Sequence, residues 1–278
     1  MTILETLSLV REGRIYELAR ARFRGMPNHP SHPRFDIVTY RTPRGLRLSG
    51  EEPWATGNEL ESGYVSELIM ASTHTGAHID ALSHVTVDDR WASGEVDRDL
   101  GDFGPLTGDA TELGPMWARG VLLDVPRHRG VETLPAGSPV PAHELEAIEQ
   151  AQGVRVEAGD VVLIRTGCMA RWPDAEWLAT HYGAGPDESG GRWLADRRVS
   201  ATGSDTEGFE VTPPVASEAP SSPLPVHVHL LVERRIPILE NLDLEELAQD
   251  RVYKFLFVGL PLKIRGATGS MLDPIAVI

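Results

Sequence analysis

The chain has 278 residues, a formal net charge of −15 and a single cysteine, Cys168. That length can bury a substantial core and is most simply one domain, here divided into an N-terminal helix and arm over 1–60 and a core over 61–278. The acidic balance argues against nucleic acid and anionic membranes as partners, because phosphate binding relies on Lys and Arg. A lone cysteine allows no intrachain disulfide, so secretion is not implied.

No signal peptide is expected. Met1–Arg24 carries Arg11, Glu12, Arg14, Arg20, Arg22 and Arg24 among its apolar residues, with no continuous hydrophobic stretch. Nor is there a run of about 18 apolar residues for a membrane span, so the expected location is the cytoplasm.

In chain order, Leu4, Leu7, Ile15, Leu18 and Ala19 suggest a helix through about Ala21. Pro27–Pro33 reads as a loop, and Phe35–Tyr40 and Tyr64–Met70 read as strands. Arg90–Asp109 is rich in Gly and Asp and irregular, with Asp88-Asp89 before it as a solvated turn. Gly120–Val125 is a short buried strand ended by Pro126. Pro141–Gln152 opens on Pro, carries Leu145 and Ile148 and stops at Gly153, which suits a helix. Val161-Val162-Leu163-Ile164 is a buried strand, and Cys168 beyond it reads as a buried thiol rather than a nucleophile. Arg165 and Thr166 read as strand-end groups, Arg165 in a structural ion pair.

Asp174–Tyr182 is expected to be helical and Gly183–Gly191 to be a Gly-rich loop. That loop holds only part of a dinucleotide fingerprint, so NAD is not expected. Ala195–Ser200 and Thr202–Glu210 approach a strand and loop, and Pro213–Pro225 is a Pro/Ser-rich connection. Pro225–Arg235 reads as a helix, Ile236–Leu239 as a strand and Leu244–Asp250 as a short helix. Tyr253–Leu260 is a strand, and Pro261–Ile278 closes the sheet. Short strands interleaved with helices give a mixed α/β (α+β) domain. Most tryptophans, Trp54, Trp91, Trp172, Trp177 and Trp193 among them, read as packing groups, some of them able to stack on a substrate.

The chemistry concentrates in His74-Thr75-Gly76-Ala77-His78-Ile79-Asp80-Ala81-Leu82-Ser83-His84, which packs three imidazoles and a carboxylate into eleven residues. These are ligands for a borderline divalent ion such as zinc or manganese. On a helix, His74 and His78 would share a face while Asp80 and His84 pointed elsewhere. On a straight strand, His74 and His78 would stand about 13 Å apart at roughly 3.3 Å per residue, too far for one ion. Convergence therefore needs a bend, and Gly76 sits midway to supply it. The segment is expected to be a tight loop, with His78 and Asp80 entering a strand end or a short helical turn. No G-x-S-x-G is present, which disfavours serine-hydrolase chemistry.

The same segment resembles the H-x-G-T-H-x-D-x-x-x-H pattern of the metal-dependent cyclase superfamily, with Ala77 in place of the usual Thr. That family includes bacterial kynurenine formamidases, isatin hydrolases and trans-dienelactone-type hydrolases. Gly203-Ser204-Asp205-Thr206-Glu207-Gly208-Phe209-Glu210 resembles its G-x-D-x-x-x-x-E segment. Pro225-Val226-His227 with Ile238-Leu239-Glu240-Asn241-Leu242 resembles its second ligand region, and Gly266-Ala267-Thr268-Gly269-Ser270 lies in a stretch similar to its C-terminal strand and turn. The likeness spans roughly residues 60 to 278.

It implies a swivelling β/β/α fold, a homodimer or homotetramer, and one or two divalent ions, Zn²⁺ or Mn²⁺. It implies His74, His78 and Asp80 as ligands with the aspartate able to bridge, His227 and Glu240 as completing ligands, and His84 as acid/base. His229 is the rival to His227, and an ion pair with Arg234 or Arg235 is the rival role for Glu240. Asp205 and Glu210 either support the site from behind or cap a loop. The implied activity is hydrolysis of an amide, lactam or lactone of a small molecule. The alternatives are a lyase-type cyclase or dehydratase and a non-catalytic metal-binding protein.

Overall fold

The structure is a computed structural model that describes residues 3–51, 57–215 and 222–278. Trp54 and part of the Pro213–Pro225 connection lie outside them. The chain forms two compact units, one of Met1–Arg20 with Thr73–Ile278 and one of Ala21–Ser72.

In the larger unit nine strands form one sheet among the described residues: β1 (Ile15–Glu17), β2 (His78–Asp80), β3 (Met116–Asp124), β4 (Val161–Arg165), β5 (Ala201–Ser204), β6 (Ile238–Glu240), β7 (Lys254–Gly259), β8 (Gly269–Met271) and β9 (Ile275–Val277). Their order is β1-β9-β7-β3-β4-β5-β6-β2-β8. The four central strands β3 to β6 run parallel, and the flanking pairs are antiparallel. Helix α1 (Ala142–Gln152) lies between β3 and β4 in the chain. Helix α2 (Glu188–Asp196) lies between β4 and β5. Before β6 come a short helix α3 (Pro225–His227) and a π turn over Val228–Glu233. The mixed α/β class expected from the sequence is what the structure shows.

Burial on both faces explains the continuous apolar run of β4. Val162 and Ile164 pack on the helical side with Leu145 and Ile148 of α1 and Leu194 of α2. Val161 and Leu163 face the other way, toward Tyr16, Leu18, Phe255 and Phe257. Parallel strands covered on both sides read as runs, not as alternation. Fully burying one such side chain contributes roughly 1.5–3 kcal/mol.

Three sequence expectations are corrected. The N-terminal helix spans only Ile3–Leu7. Ile15–Glu17 instead pairs with β9, Tyr16 opposite Ala276, which puts Tyr16 and Leu18 into the core with period two. Sheet pairing overrides the weak helical stripe. The Gly-rich stretch is not all loop: Asp187 caps the start of α2 by accepting from Gly190 N at 3.0 Å, and the helix runs through Gly190 and Gly191. A Cβ on Gly191 would lie 2.7 Å from Val226 Cγ1, so the glycine allows α2 to approach α3 closely. The strand expected over Ala195–Ser200 begins only at Ala201, because Ala195 and Asp196 close α2.

The smaller unit holds an antiparallel hairpin of Asp36–Arg41 and Ser66–Met70 and a helix over Pro43–Ser49. Among the described residues, no helix is long and apolar enough to cross a membrane.

Candidate metal centre

The topology brings the motif and the distal candidates to one end of the sheet. β2 runs antiparallel to β6, with His78 opposite Glu240. On its other side β8 places Gly269 opposite Asp80. His78 and Asp80 have the same parity and share a face of β2. Gly76 has φ +64°, and the bend there returns His74 to the same point. The ring centroids of His74 and His78 are 5.0 Å apart. The expected loop with a bend at Gly76 is what forms.

Two overlapping donor sets result. His74, His78 and Asp80 converge, and so do Asp80, His227 and Glu240; all five residues are buried, and within each set the donor atoms lie within 4.8 Å of one another. Asp80 Oδ1 lies 2.9 Å from His74 Nδ1 and 3.6 Å from His78 Nε2. Glu240 Oε2 lies 3.2 Å from His78 Nε2, and Glu240 Oε1 lies 3.1 Å from His227 Nε2.

Each imidazole is braced from behind. His78 Nδ1 donates to the Gly76 carbonyl at 2.8 Å. His74 Nε2 faces Thr268 Oγ1 at 3.0 Å. His227 Nδ1 faces Glu210 Oε1 at 2.6 Å, and Glu210 also accepts from the backbone N–H groups of Val226 and His227. In every case one ring nitrogen is fixed and the other is aimed at the cluster. Outer partners of this kind set the tautomer and orientation of metal-binding histidines.

The electrostatics favour a cation. Asp80 Oδ2 is buried and makes no hydrogen bond among the described residues; His227 Nε2 stands 3.6 Å away. Buried carboxylates without compensation are costly. Burial works against charge on His78, but the Glu240 hydrogen bond and the Glu240 and Asp80 charges outweigh it and hold His78 up to about 9. Burial likewise opposes charge on Asp80, yet the surrounding imidazoles hold it well below the usual carboxylate range. His227 is held well above its ordinary value against burial, by Asp80, Glu210 and Glu240. The raised His78 and His227 and the lowered Asp80 share one cause, buried carboxylates that demand positive charge beside them. A divalent ion fits the same donors, with N and O ligands in number and type suited to such an ion.

His84 stands beside the cluster rather than in either donor set. Its ring lies 4.2 Å from the His74 ring, tilted by 31°. Among the described residues, none hydrogen-bonds to the His84 ring. Burial, helped by His74 and His227, pushes it down to about 4 against the pull of Asp80.

The structure places the alternative candidates differently. His227 reaches the cluster, while His229 pairs with Glu233 at 2.6 Å. Glu240 lies at the centre, and Arg234 pairs with Asp196. Glu210 backs the site, whereas Asp205 caps a loop, accepting from the backbone N–H groups of Thr166, Gly167 and Cys168. Arg165 is structural, bridging Asp124 and Glu245. Burial pushes the Cys168 thiol up, as suits an inert group.

Thr268 and Gly269 lie in the stretch similar to the family's C-terminal strand and turn, but sequence reasoning gave them no role at the site. Their signal is the small Thr-Gly-Ser run, which is legible only once β8 is known to lie against β2. A Cβ on Gly269 would lie 2.9 Å from both ring nitrogens of His74. Gly269→Ala is therefore expected to displace that ring and weaken metal binding by about 10–100-fold, the usual cost of disturbing an outer partner. Competition with a chelator measures it; unchanged affinity would remove His74 from the ligand set.

Comparison with known proteins agrees with the fold. The Cyclase family model matches residues 16–211. A solved structure described as a novel cyclase is 26% identical, with 99% of this chain and 92% of that chain covered at a TM-score of 0.82. Isatin hydrolase A from Ralstonia solanacearum is 23% identical, covering 100% of this chain and 98% of that one at TM-score 0.71. Isatin hydrolase A from Labrenzia aggregata, bound to benzyl benzoate, is 22% identical, covering 95% and 93% at TM-score 0.69. The two isatin hydrolases show the shared fold. No curated protein matches the chain. The family match takes in the His74–His84 segment and Glu210 but stops before His227 and Glu240, whose place in the centre rests on geometry. With the model covering well over half of its length, the chain belongs to the Cyclase family.

Proposed function

We propose that the protein is a metal-dependent hydrolase acting on an amide, lactam or lactone carbonyl of a small molecule. The observation that carries this reading is the convergence of three braced imidazoles and two carboxylates, buried, beside an imidazole whose ring has no hydrogen-bond partner among the described residues. His74, His78 and Asp80 would hold one divalent ion, zinc or manganese by donor type. Asp80, His227 and Glu240 would hold a second. Such an ion supplies Lewis acidity, which makes water nucleophilic near neutral pH.

His84 accepts the proton from the attacking water and delivers it to the departing nitrogen or oxygen. The water oxygen bonds to the carbonyl carbon, the C–N or C–O bond breaks, and a carboxylate and an amine or alcohol result. The lactam class is supported by the two isatin hydrolases of the same fold, since isatin is a cyclic amide. The acidic chain suits a small substrate rather than a nucleic acid or an anionic membrane.

Turnover in ¹⁸O-labelled water tests the reaction class. Hydrolysis places solvent oxygen in the product carboxylate. A product free of label would refute hydrolysis and favour the cyclase or dehydratase alternative.

We also propose a homodimer or homotetramer. The hairpin of the smaller unit exposes Tyr40, Leu68, Ile69 and Met70 by 52–60%. An isolated two-stranded hairpin is marginal in water, which supports its being covered by a second copy. Light scattering is expected to give a multiple of the 30.4 kDa chain mass, and a monomer throughout would refute it.

A further inference from the structure

We infer that a cleft at the N-terminal ends of β5 and β6 is a binding site for a small dianion. The cleft has a volume of about 500 Å³. It is lined by the end of α2 at Ala195 and Asp196, the turn before β5 and the turn before β6. Its charged groups are Arg198, Arg234 and Arg235 against Asp196 alone. This positive pocket sits on a chain whose formal net charge is −15.

The three guanidinium groups differ in how far they are engaged. Arg234 Nη2 lies 2.6 Å from Asp196 Oδ1. Arg235 Nη2 donates to the Ala92 carbonyl and keeps its other donors. Arg198 has no side-chain partner among the described residues. Its φ is +55° and that of Arg235 is +56°. Glycine would meet both turns with less strain. The backbone thus gives no reason for arginine at either position, and a long cationic side chain at each asks for a ligand.

The chemistry of that ligand follows from the charge count. Arg234 and Asp196 nearly cancel, leaving two guanidinium forks. Such forks match the paired oxygens of phosphoryl and carboxylate groups. A dianionic group, either a phosphoryl or a pair of carboxylates, neutralises both. Small-molecule sites run to roughly 300–1,000 Å³, so the cleft takes a molecule bearing the dianion and not the group alone.

The site is separate from the metal centre. None of the residues that line the cleft belongs to either donor set, and Ile236, its last lining residue, precedes Glu240 by four residues, about 13 Å at roughly 3.3 Å per residue where the chain is extended. Removing a guanidinium here is therefore expected to leave metal content unchanged.

Equilibrium dialysis of the metal-loaded protein against radiolabelled inorganic phosphate, and separately succinate, tests the proposal. Saturable uptake of either probe at one site per chain is expected, and the tighter one identifies the source as phosphoryl or paired carboxylate. Arg198→Ala, which breaks no side-chain hydrogen bond or ion pair among the described residues, should weaken uptake about tenfold or more, as loss of a charge-assisted bidentate pair does. Arg198→Ala with Arg235→Ala should abolish it, and the single variant decides if the double one does not fold. Arg192→Ala, an exposed neighbour on α2 whose loss removes the same charge, should change nothing. His78→Ala should keep the uptake. Absence of saturable uptake of both probes by the wild type overturns the proposal. So does uptake that survives Arg198→Ala but is lost in His78→Ala, since the anion would then sit on the metal centre.

Discussion

Asp80→Ala is expected to abolish turnover and to strip metal from both halves of the centre at once. Asp80 is the one residue common to the two donor sets. Its Oδ1 faces His74 and His78, and its Oδ2 faces His227. Loss of a direct ligand should cost more than the about 10–100-fold typical of an outer partner, so metal affinity is expected to fall by more than about 100-fold. Glu240→Gln touches only the distal set and keeps the side-chain volume. It should lower stoichiometry or affinity there and spare the proximal ion. Elemental analysis after dialysis reads both variants, with circular dichroism to check the fold. Asp80→Asn, which preserves shape, serves if the alanine variant unfolds. Full metal content in both Asp80 variants would refute the assignment.

The part of the centre legible in the sequence is the part that is local. Four of the six candidate residues could be read from the residues alone because His74, His78, Asp80 and His84 fall in one segment, whereas Glu240 and His227 came from the resemblance. Even the bend followed, since a straight strand separates His74 from His78 too far and Gly76 is the only residue between them free to turn. His227 was separable from His229 only by resemblance. Two residues apart where a short helix passes into a π turn, either could have faced inward, and only packing against Glu210 and Glu240 decides.

Thr268, the outer partner of His74, was out of reach for a different reason. Thr268 meets His74 across 194 residues, through the β2–β8 pairing. No periodicity near either residue encodes that contact. The same holds for β1, whose partner β9 is the last strand of the chain. Local helical spacing from Leu4 to Ala19 therefore pointed to the wrong structure. By contrast, β4 was plain because a short run of four residues, three of them β-branched, favours a strand buried on both faces of a parallel sheet over a helix. The glycines of α2 misled because they serve close helix packing against Val226, not chain reversal.

His84→Ala is expected to lose about 10²–10⁴-fold in kcat while retaining bound metal. That range is the usual contribution of a positioned acid/base, and corresponds to roughly 2.7–5.5 kcal/mol of barrier. The retention follows from placement: His84 belongs to neither donor set, whereas each other histidine of the centre has one nitrogen braced and one aimed inward. The ring does touch His74, at 4.2 Å between centroids, so a purely supporting role must be separated from a catalytic one. His84→Phe makes the separation. It keeps an aromatic ring against His74 but carries no proton acceptor. A supporting role would be rescued by Phe, with kcat near wild type. A proton-transfer role would leave the Phe variant as slow as the alanine one, with added imidazole accelerating the alanine variant by filling the vacated space. Metal lost from His84→Ala would make His84 a ligand. Retained metal with wild-type kcat, or full activity in His84→Phe, would end the acid/base assignment.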